Sequence, residues 1–219
     1  MSQPKIRILC LHGFCSTAKH LEGGLKGLQK HLAKASPPIE LQFLQSPHAL
    51  PIPDDARQRA NKLGLGLEYV QRYSWWCASD DGTEYRGWKE SVSYVKEFLK
   101  KNGPFQGVLG FSQGAAMAAV LCASMQQTNE LGFVILIGGF PPRDTTLQKL
   151  ISGSSTLKQI RSLHVIGEAD EVVKPEVSRK LAQAFHSPSF MLHSGGHYIP
   201  TSRSDCDRIV EFVLQSSKL

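Results

Sequence analysis

The stretch from Val108 to Ala116 restricts the possible folds of this chain more than any other part of the sequence. It has the composition of a buried strand, a short turn and the first turn of a helix rich in small residues. The turn carries the pattern Gly110-Phe111-Ser112-Gln113-Gly114, and in a sharp strand-to-helix turn side chains two residues before and after the serine would collide. Both of these positions are glycine. The pattern therefore predicts that Ser112 occupies a strained turn with its hydroxyl exposed at the end of a strand.

A G-x-S-x-G pattern also arises by chance, so its interpretation depends on the surrounding elements and on suitable partners. The competing interpretation is a glycine-rich connection whose Ser112 merely caps the following helix. Nucleophilic catalysis requires more than the turn. A serine hydroxyl is a poor nucleophile at neutral pH unless a base lies within hydrogen-bond reach and a third group orients that base.

The chain offers these partners in the order serine, acid, histidine, which is the order of the α/β-hydrolases. Asp170 follows a predicted strand, with Glu168 and Glu171 on the same loop as alternatives, and His197 follows the last predicted strand. We predict that Ser112 is the nucleophile, that His197 is the base and that Asp170 orients it.

The other histidines are weaker candidates. His164 lies within a predicted strand, where a position in the core is favoured. His193 precedes His197 by four residues, but Gly195-Gly196 breaks any helix that could turn the two into a metal-binding pair. No metal site is predicted.

An oxyanion hole needs two N–H groups that point at the developing negative charge. One should be the backbone N–H of Gln113, which follows the nucleophile at a helix N-terminus, where the helix dipole adds to the effect. The other should come from the loop after the first strand, His12-Gly13-Phe14, and we favour the N–H of Phe14. An ordinary turn is the alternative for this loop.

Strands alternate with helices along the chain, which predicts an α/β fold with a doubly wound, mostly parallel sheet and one domain over residues 1–219. A single helix is expected over about Ala18 to Ala33, and a helix over Trp88 to Lys101. The predicted strands are Ile6–Leu11, Glu40–Leu44, the buried strand at Val108 that leads into the serine turn, Phe133–Ile137, Leu163–Gly167 and Ser189–Leu192.

Residues 45–87 form a long irregular stretch, with a possible short helix near Asp54 to Lys62. Loops of this length inside a domain are uncommon and are often functional. The stretch contains the adjacent Trp75 and Trp76, and Phe140 leads into a second variable loop. We predict that these three rings line an acyl-binding pocket, although the tryptophans could equally pack the loop onto the body of the protein.

Composition narrows the remaining function classes. The net charge of +6 is scattered, with no basic stripe for nucleic acid, and no apolar run is long enough to span a membrane. The chain enters a strand almost at once, which leaves no room for a signal peptide. Its cysteines are odd in number and dispersed, as in a reducing compartment, so a cytoplasmic location is expected, with the nucleus as the alternative.

Taken together, the motifs resemble the family of serine hydrolases, FSH, over nearly the whole chain. The resemblance implies a compact α/β-hydrolase without a large cap domain, with carboxylesterase or thioesterase activity and no cofactor. It carries the catalytic triad over to Ser112, Asp170 and His197. Gln106, where the family suggests an acidic residue, is a departure, but it is on the entry side of the strand and does not affect the catalytic assignments. The motifs are His12-Gly13-Phe14, Trp75-Trp76, Gly103 to Ala115, Gly167-Glu168-Ala169-Asp170 and Gly195-Gly196-His197.

The favoured function is therefore hydrolysis of carboxylic esters, with apolar acyl groups, through an acyl-enzyme on Ser112. A thioesterase that acts on acyl-CoA, an acyl carrier or an S-acylated protein would use the same chemistry. A non-catalytic binding protein on a hydrolase scaffold is the alternative from a different class. The sequence leaves the oligomeric state open.

Overall fold

The computed structural model describes residues 5–125 and 131–217. Residues 1–4, on which part of the signal-peptide prediction depends, lie outside this range. The strands are, in chain order, β1 (Ile6–Leu11), β2 (Ile39–Leu44), β3 (His48–Ala49), β4 (Tyr73–Ser74), β5 (Cys77–Ala78), β6 (Tyr85–Arg86), β7 (Gly107–Phe111), β8 (Phe133–Ile137), β9 (Arg161–Gly167) and β10 (Ser189–His193).

The main sheet has the order β10-β9-β8-β7-β1-β2, and every neighbouring pair is parallel. The predicted α/β fold with a parallel sheet is confirmed. β8 is buried along its whole length, because helices cover both faces of the sheet. The chain runs from β1 to β2 on one side and returns to β7 on the other, so the strand order reverses at β1. In open α/β sheets, sites form at the carboxyl ends of the strands at such a reversal.

Two layers of helices enclose the sheet, and each layer contributes to its own apolar cluster. The cluster on one face is built around the fully buried α5, and the cluster on the other face around α1, α2 and α8. The helices are α1 (Ala18–Gly24), α2 (Lys26–Leu32), α3 (Asp54–Lys62), α4 (Trp88–Asn102), α5 (Gln113–Ala123), α6 (Thr145–Ser152), α7 (Pro175–Ala182) and α8 (Arg203–Ser216). No helix in the described part of the chain is long and apolar enough to cross a membrane.

The prediction of one continuous helix over residues 18–33 is wrong. The helix is interrupted at Leu25, whose backbone leaves the helical region with φ −98° and ψ 5°, directly after Gly23 and Gly24. Glycine has the largest backbone entropy to lose in a helix, so this pair is a natural place for α1 to end. The apolar periodicity continues into α2, which is why the break is not apparent from the pattern of leucines.

The excursion between β2 and α4 contains only short elements. The helix predicted near Asp54 to Lys62 is present as α3, and β3 pairs with β4 in an antiparallel bridge. Tyr73 and Ser16 exchange backbone hydrogen bonds of 3.0 and 3.3 Å. These bonds attach the excursion to the loop that follows β1, at the carboxyl edge of the main sheet.

Candidate active site

Ser112 lies between β7 and α5 with φ 55° and ψ −119°, a conformation that side-chain-bearing residues rarely adopt. A Cβ atom at Gly110 would overlap the backbone of Gly114, so the turn can close this sharply only with glycine at 110. The Ser112 N–H donates to the carbonyl of Ile137 on β8 at 2.9 Å. The serine is thus fixed at the end of the sheet in the turn that the sequence predicts.

Gly114 brings the start of α5 against the end of β1. A Cβ atom there would overlap the carbonyl oxygen of Leu11. The loop after β1 is also close to the serine, since a Cβ on Gly13 would lie 3.4 Å from the Ser112 Cβ. The Phe14 N–H makes no hydrogen bond within the described residues, and the Gln113 N–H is in the first turn of α5, where such groups lack an intrahelical acceptor. The two predicted oxyanion donors therefore belong to the two segments next to Ser112.

Asp170 and His197 meet at the ends of β9 and β10. Nδ1 of His197 lies 2.7 Å from Oδ2 of Asp170, and the carboxylate is buried. The other carboxylate oxygen accepts the N–H groups of Val172 and Val173 at 2.9 and 2.8 Å. Both oxygens are therefore engaged, which fixes the carboxylate and leaves Nε2 of His197 as the nitrogen able to take a proton.

Two further neighbours limit the space around the imidazole. The Phe111 ring lies against it with centroids 4.9 Å apart, and a Cβ on Gly138 would come within 3.0 Å of its Cε1. The neighbouring Glu168 and Glu171 are exposed, and the loop directs only Asp170 at the ring.

Ser112 and His197 line the same cleft, which has a volume of about 590 Å³. The hydrogen bonds of the described residues include none between Ser112 Oγ and the imidazole. Catalytic hydrogen bonds are often long without substrate and tighten when it binds. The cleft is lined mainly by apolar side chains and by glycine; its other members include Phe14, Leu21, Gly24, Phe111, Val172, Tyr198 and Ile199.

The structure places Trp75 and Trp76 in the hydrophobic core, where they are 0% and 2% exposed, and they are not among the residues that line this cleft. Trp76 stacks on Tyr85 with ring centroids 5.1 Å apart. Phe140 is half-buried and packs against the same core cluster. Their contacts match the alternative interpretation, in which the tryptophans pack the loop onto the body of the protein. The residues beside Ser112 are instead those of the β1 loop, α1 and the loop after His197.

His12 and the side chain of Gln113 hold the loops around the candidate site together, a role that the sequence analysis did not assign to them. Both are buried, and the His12 ring accepts the N–H of Ser46 through Nε2 at 3.1 Å while its Nδ1 faces the carbonyl of Gly13 at 2.8 Å. Burial lowers the pKa of His12 to about 4, so the ring is neutral near pH 7. The Gln113 amide spans the loop of the tryptophans, with its oxygen on the Trp75 N–H and its nitrogen on the Trp76 carbonyl, both at 2.9 Å.

The parallel sheet and the sharp serine turn at the end of β7 define this chain as an α/β-hydrolase. The model of the serine hydrolase family FSH1 matches residues 1–209. The chain therefore belongs to that family, and the resemblance seen in its motifs is confirmed.

Its relatives carry esterase names. It is 34% identical to "Esterase OVCA2" of Danio rerio over 97% of this chain and 98% of the relative, and 32% identical to the Homo sapiens protein of the same name over 98% of each. Among solved structures, it shares the fold of Zea mays acyl-protein thioesterase 2, with a TM-score of 0.68 and 20% identity over 97% of this chain and 94% of that one. Esterase PE8 gives a TM-score of 0.64 at 18% identity, over 97% of this chain and 93% of that one.

Proposed function

We propose that this serine hydrolase is a carboxylesterase that cleaves esters of apolar acyl groups through an acyl-enzyme on Ser112. The observation that carries the proposal is the 2.7 Å contact between His197 Nδ1 and Asp170 Oδ2 on the wall of the cleft that also contains Ser112. It orients the imidazole so that Nε2 can act as the base.

The mechanism begins with attack of the Ser112 oxygen on the ester carbonyl carbon, while His197 Nε2 takes the hydroxyl proton. Asp170 stabilises the imidazolium that forms. The carbonyl oxygen becomes an oxyanion and accepts hydrogen bonds from the N–H groups of Phe14 and Gln113, which stabilise the transition state more than the ground state.

The tetrahedral intermediate then collapses. The bond between the carbonyl carbon and the alcohol oxygen breaks, and the alcohol leaves with the proton held by His197. Water repeats the sequence with His197 again as the base: it attacks the acyl-enzyme, the bond to Ser112 breaks, and a carboxylic acid and the free serine are released.

The preference for apolar acyl groups is supported by the cleft. Leu21 and Ile199 line the cleft, and the exposed large apolar residues Phe14, Val172 and Tyr198 line it as well. An alkyl chain gains about 0.8 kcal/mol per buried methylene. The activity should therefore increase with acyl chain length until the cleft is filled.

The test combines covalent labelling with turnover. A fluorophosphonate should label the wild type on Ser112 and hydrolysis of p-nitrophenyl esters should accompany it, whereas Ser112→Ala should lose both. Ser16→Ala is the matched control, since Ser16 lines the same cleft, and it should keep the label. Equal labelling of wild type and Ser112→Ala would refute the role of Ser112, and binding of esters without turnover in the wild type would favour a binding protein.

A thioesterase is the second candidate, because Ser112 and His197 could attack a thioester in the same way and the Zea mays acyl-protein thioesterase 2 has this fold. An oxygen ester and a thioester of the same acyl group distinguish the two. A higher kcat/KM for the oxygen ester supports the carboxylesterase, and a higher value for the thioester replaces it with the second candidate.

A further inference from the structure

Trp75 is connected to both sides of the proposed oxyanion hole. Its indole Nε1–H donates to the carbonyl oxygen of His12 at 2.8 Å, and its backbone N–H donates to the side-chain oxygen of Gln113 at 2.9 Å. Its own carbonyl accepts the Ser91 hydroxyl at 2.6 Å. All three polar groups are buried, so each would be costly to leave without a partner.

The hydrogen bond from the Trp75 indole holds the β1 loop at the residue where its turn begins. The His12 carbonyl begins the His12-Gly13-Phe14 turn, and the Phe14 N–H lies at the other end of that turn. On the other side, the Gln113 side chain fixes the start of α5, whose first N–H is the second donor. A change in the direction of the His12 carbonyl would therefore rotate the turn relative to α5 and alter the spacing of the two donors.

We propose that the Trp75 indole N–H is a positioning group for catalysis, because it holds the β1 loop so that the N–H groups of Phe14 and Gln113 converge on one oxyanion. The inference depends on the proposed function. Trp75 does not touch the substrate; it acts through the two donors. Displacement of one oxyanion donor should reduce transition-state stabilisation with little effect on ground-state binding.

Trp75→Phe removes the N–H and keeps an aromatic ring in the core. Trp76→Phe is the matched control, because Trp76 is buried to a similar extent and the substitution removes the same atoms of the indole. The hydrogen bonds of the described residues include none from the Trp76 indole N–H, whereas that of Trp75 donates to His12. We expect kcat to fall by about 10- to 100-fold in Trp75→Phe, with KM within about threefold of wild type. Trp76→Phe should lower kcat by less than about threefold, with a thermal midpoint similar to that of Trp75→Phe.

A boronic acid that forms a tetrahedral adduct on Ser112 gives the second readout. Its affinity should decrease in Trp75→Phe by about the same factor as kcat, because the adduct places an oxygen between the two donors. A loss of stability alone would reduce the amount of folded enzyme and leave the affinity of the folded fraction unchanged.

The outcomes are distinct. If wild type and Ser112→Ala show no difference in turnover, the proposed function fails. If wild type is active and the two tryptophan variants have the same kcat and inhibitor affinity, the positioning role of Trp75 alone is refuted. If Trp75→Phe does not fold, benzothienylalanine at position 75 keeps the shape of indole without the N–H; full wild-type kcat in that protein would overturn the inference, and a reduced kcat supports it.

Discussion

Two buried histidines should make the stability of this protein fall steeply in mild acid. Burial lowers the pKa of His12 and of His164 from 6.5 to about 4. His164 lies inside β9 with its ring between Phe185 and Phe190, at centroid distances of 5.0 and 5.8 Å. Among the residues that the structure describes, neither ring has a carboxylate within hydrogen-bond distance that could compensate a positive charge.

The sign follows from proton binding. Between pH 6.5 and pH 4 the unfolded chain binds protons at these histidines and the folded chain does not, so acid favours unfolding. The stabilisation is fully present above pH 6.5, decreases as the pH falls through this window and is lost below pH 4. From pH 7.5 to pH 5, each histidine should lower the free energy of unfolding by about 2 kcal/mol. Together they would remove a substantial part of the stability typical of a domain, about 5–15 kcal/mol.

Urea unfolding at the two pH values measures this effect. His164→Leu replaces the titrating ring with an apolar side chain, and its free energy of unfolding should decrease between pH 7.5 and pH 5 by about 2 kcal/mol less than that of wild type. His186→Gln, at an exposed position, is the control and should retain the wild-type pH dependence. The reasoning fails if His164→Leu loses as much stability in acid as wild type does.

Three further predictions concern the turn, the acid and the cleft. Gly114→Ala should reduce ester hydrolysis by more than about 100-fold and should also lower the thermal midpoint, because the new Cβ would overlap the end of β1. Gly23→Ala, whose Cβ would meet no atom within 4 Å, should retain the wild-type activity and thermal midpoint. Asp170→Asn should lower kcat by about 10³- to 10⁴-fold with the fold retained, and Glu171→Gln should not; comparable rates in the two variants would contradict the assignment. Gly24→Leu should shift the optimum of an acyl chain-length series to shorter esters, with about fourfold lower kcat/KM per methylene excluded, and an unchanged optimum would place the acyl chain elsewhere.

The parts of the fold that sequence reasoning predicted are those with local signals. The continuous apolar run Phe133–Ile137 predicted a central strand covered on both faces, and it is β8 with these bounds. The serine turn was predictable because its steric constraint acts between Gly110 and Gly114, which are close in sequence. By contrast, α6 was missed, although Asp144 caps it by accepting the N–H groups of Thr146 and Leu147. A capping aspartate before an apolar spacing was the available signal.

The role of the tryptophans was not predictable for a physical reason. Two large rings in a loop must be buried, but the sequence does not say whether they face a cavity or the body of the protein. That choice depends on the partners of Trp75: Gln113, 38 residues later, and His12, 63 residues earlier. Hydrogen bonds over such separations leave no periodic pattern, so they became visible only in the structure.

The candidate site has two halves, each supported by different strands. The proposed nucleophile and oxyanion donors depend on the contact of α5 with the end of β1. His197 and Asp170, the proposed base and acid, depend on the loops after β9 and β10, which are joined by a 3.1 Å hydrogen bond from the Ala169 N–H to the Gly195 carbonyl. The halves meet where the Phe111 ring contacts His197 and where Gly138, at the end of β8, approaches the imidazole. Because β8 lies between β7 and β9, the register of these three strands sets the position of Ser112 relative to His197, and the central sheet is therefore the element that aligns the proposed catalytic groups.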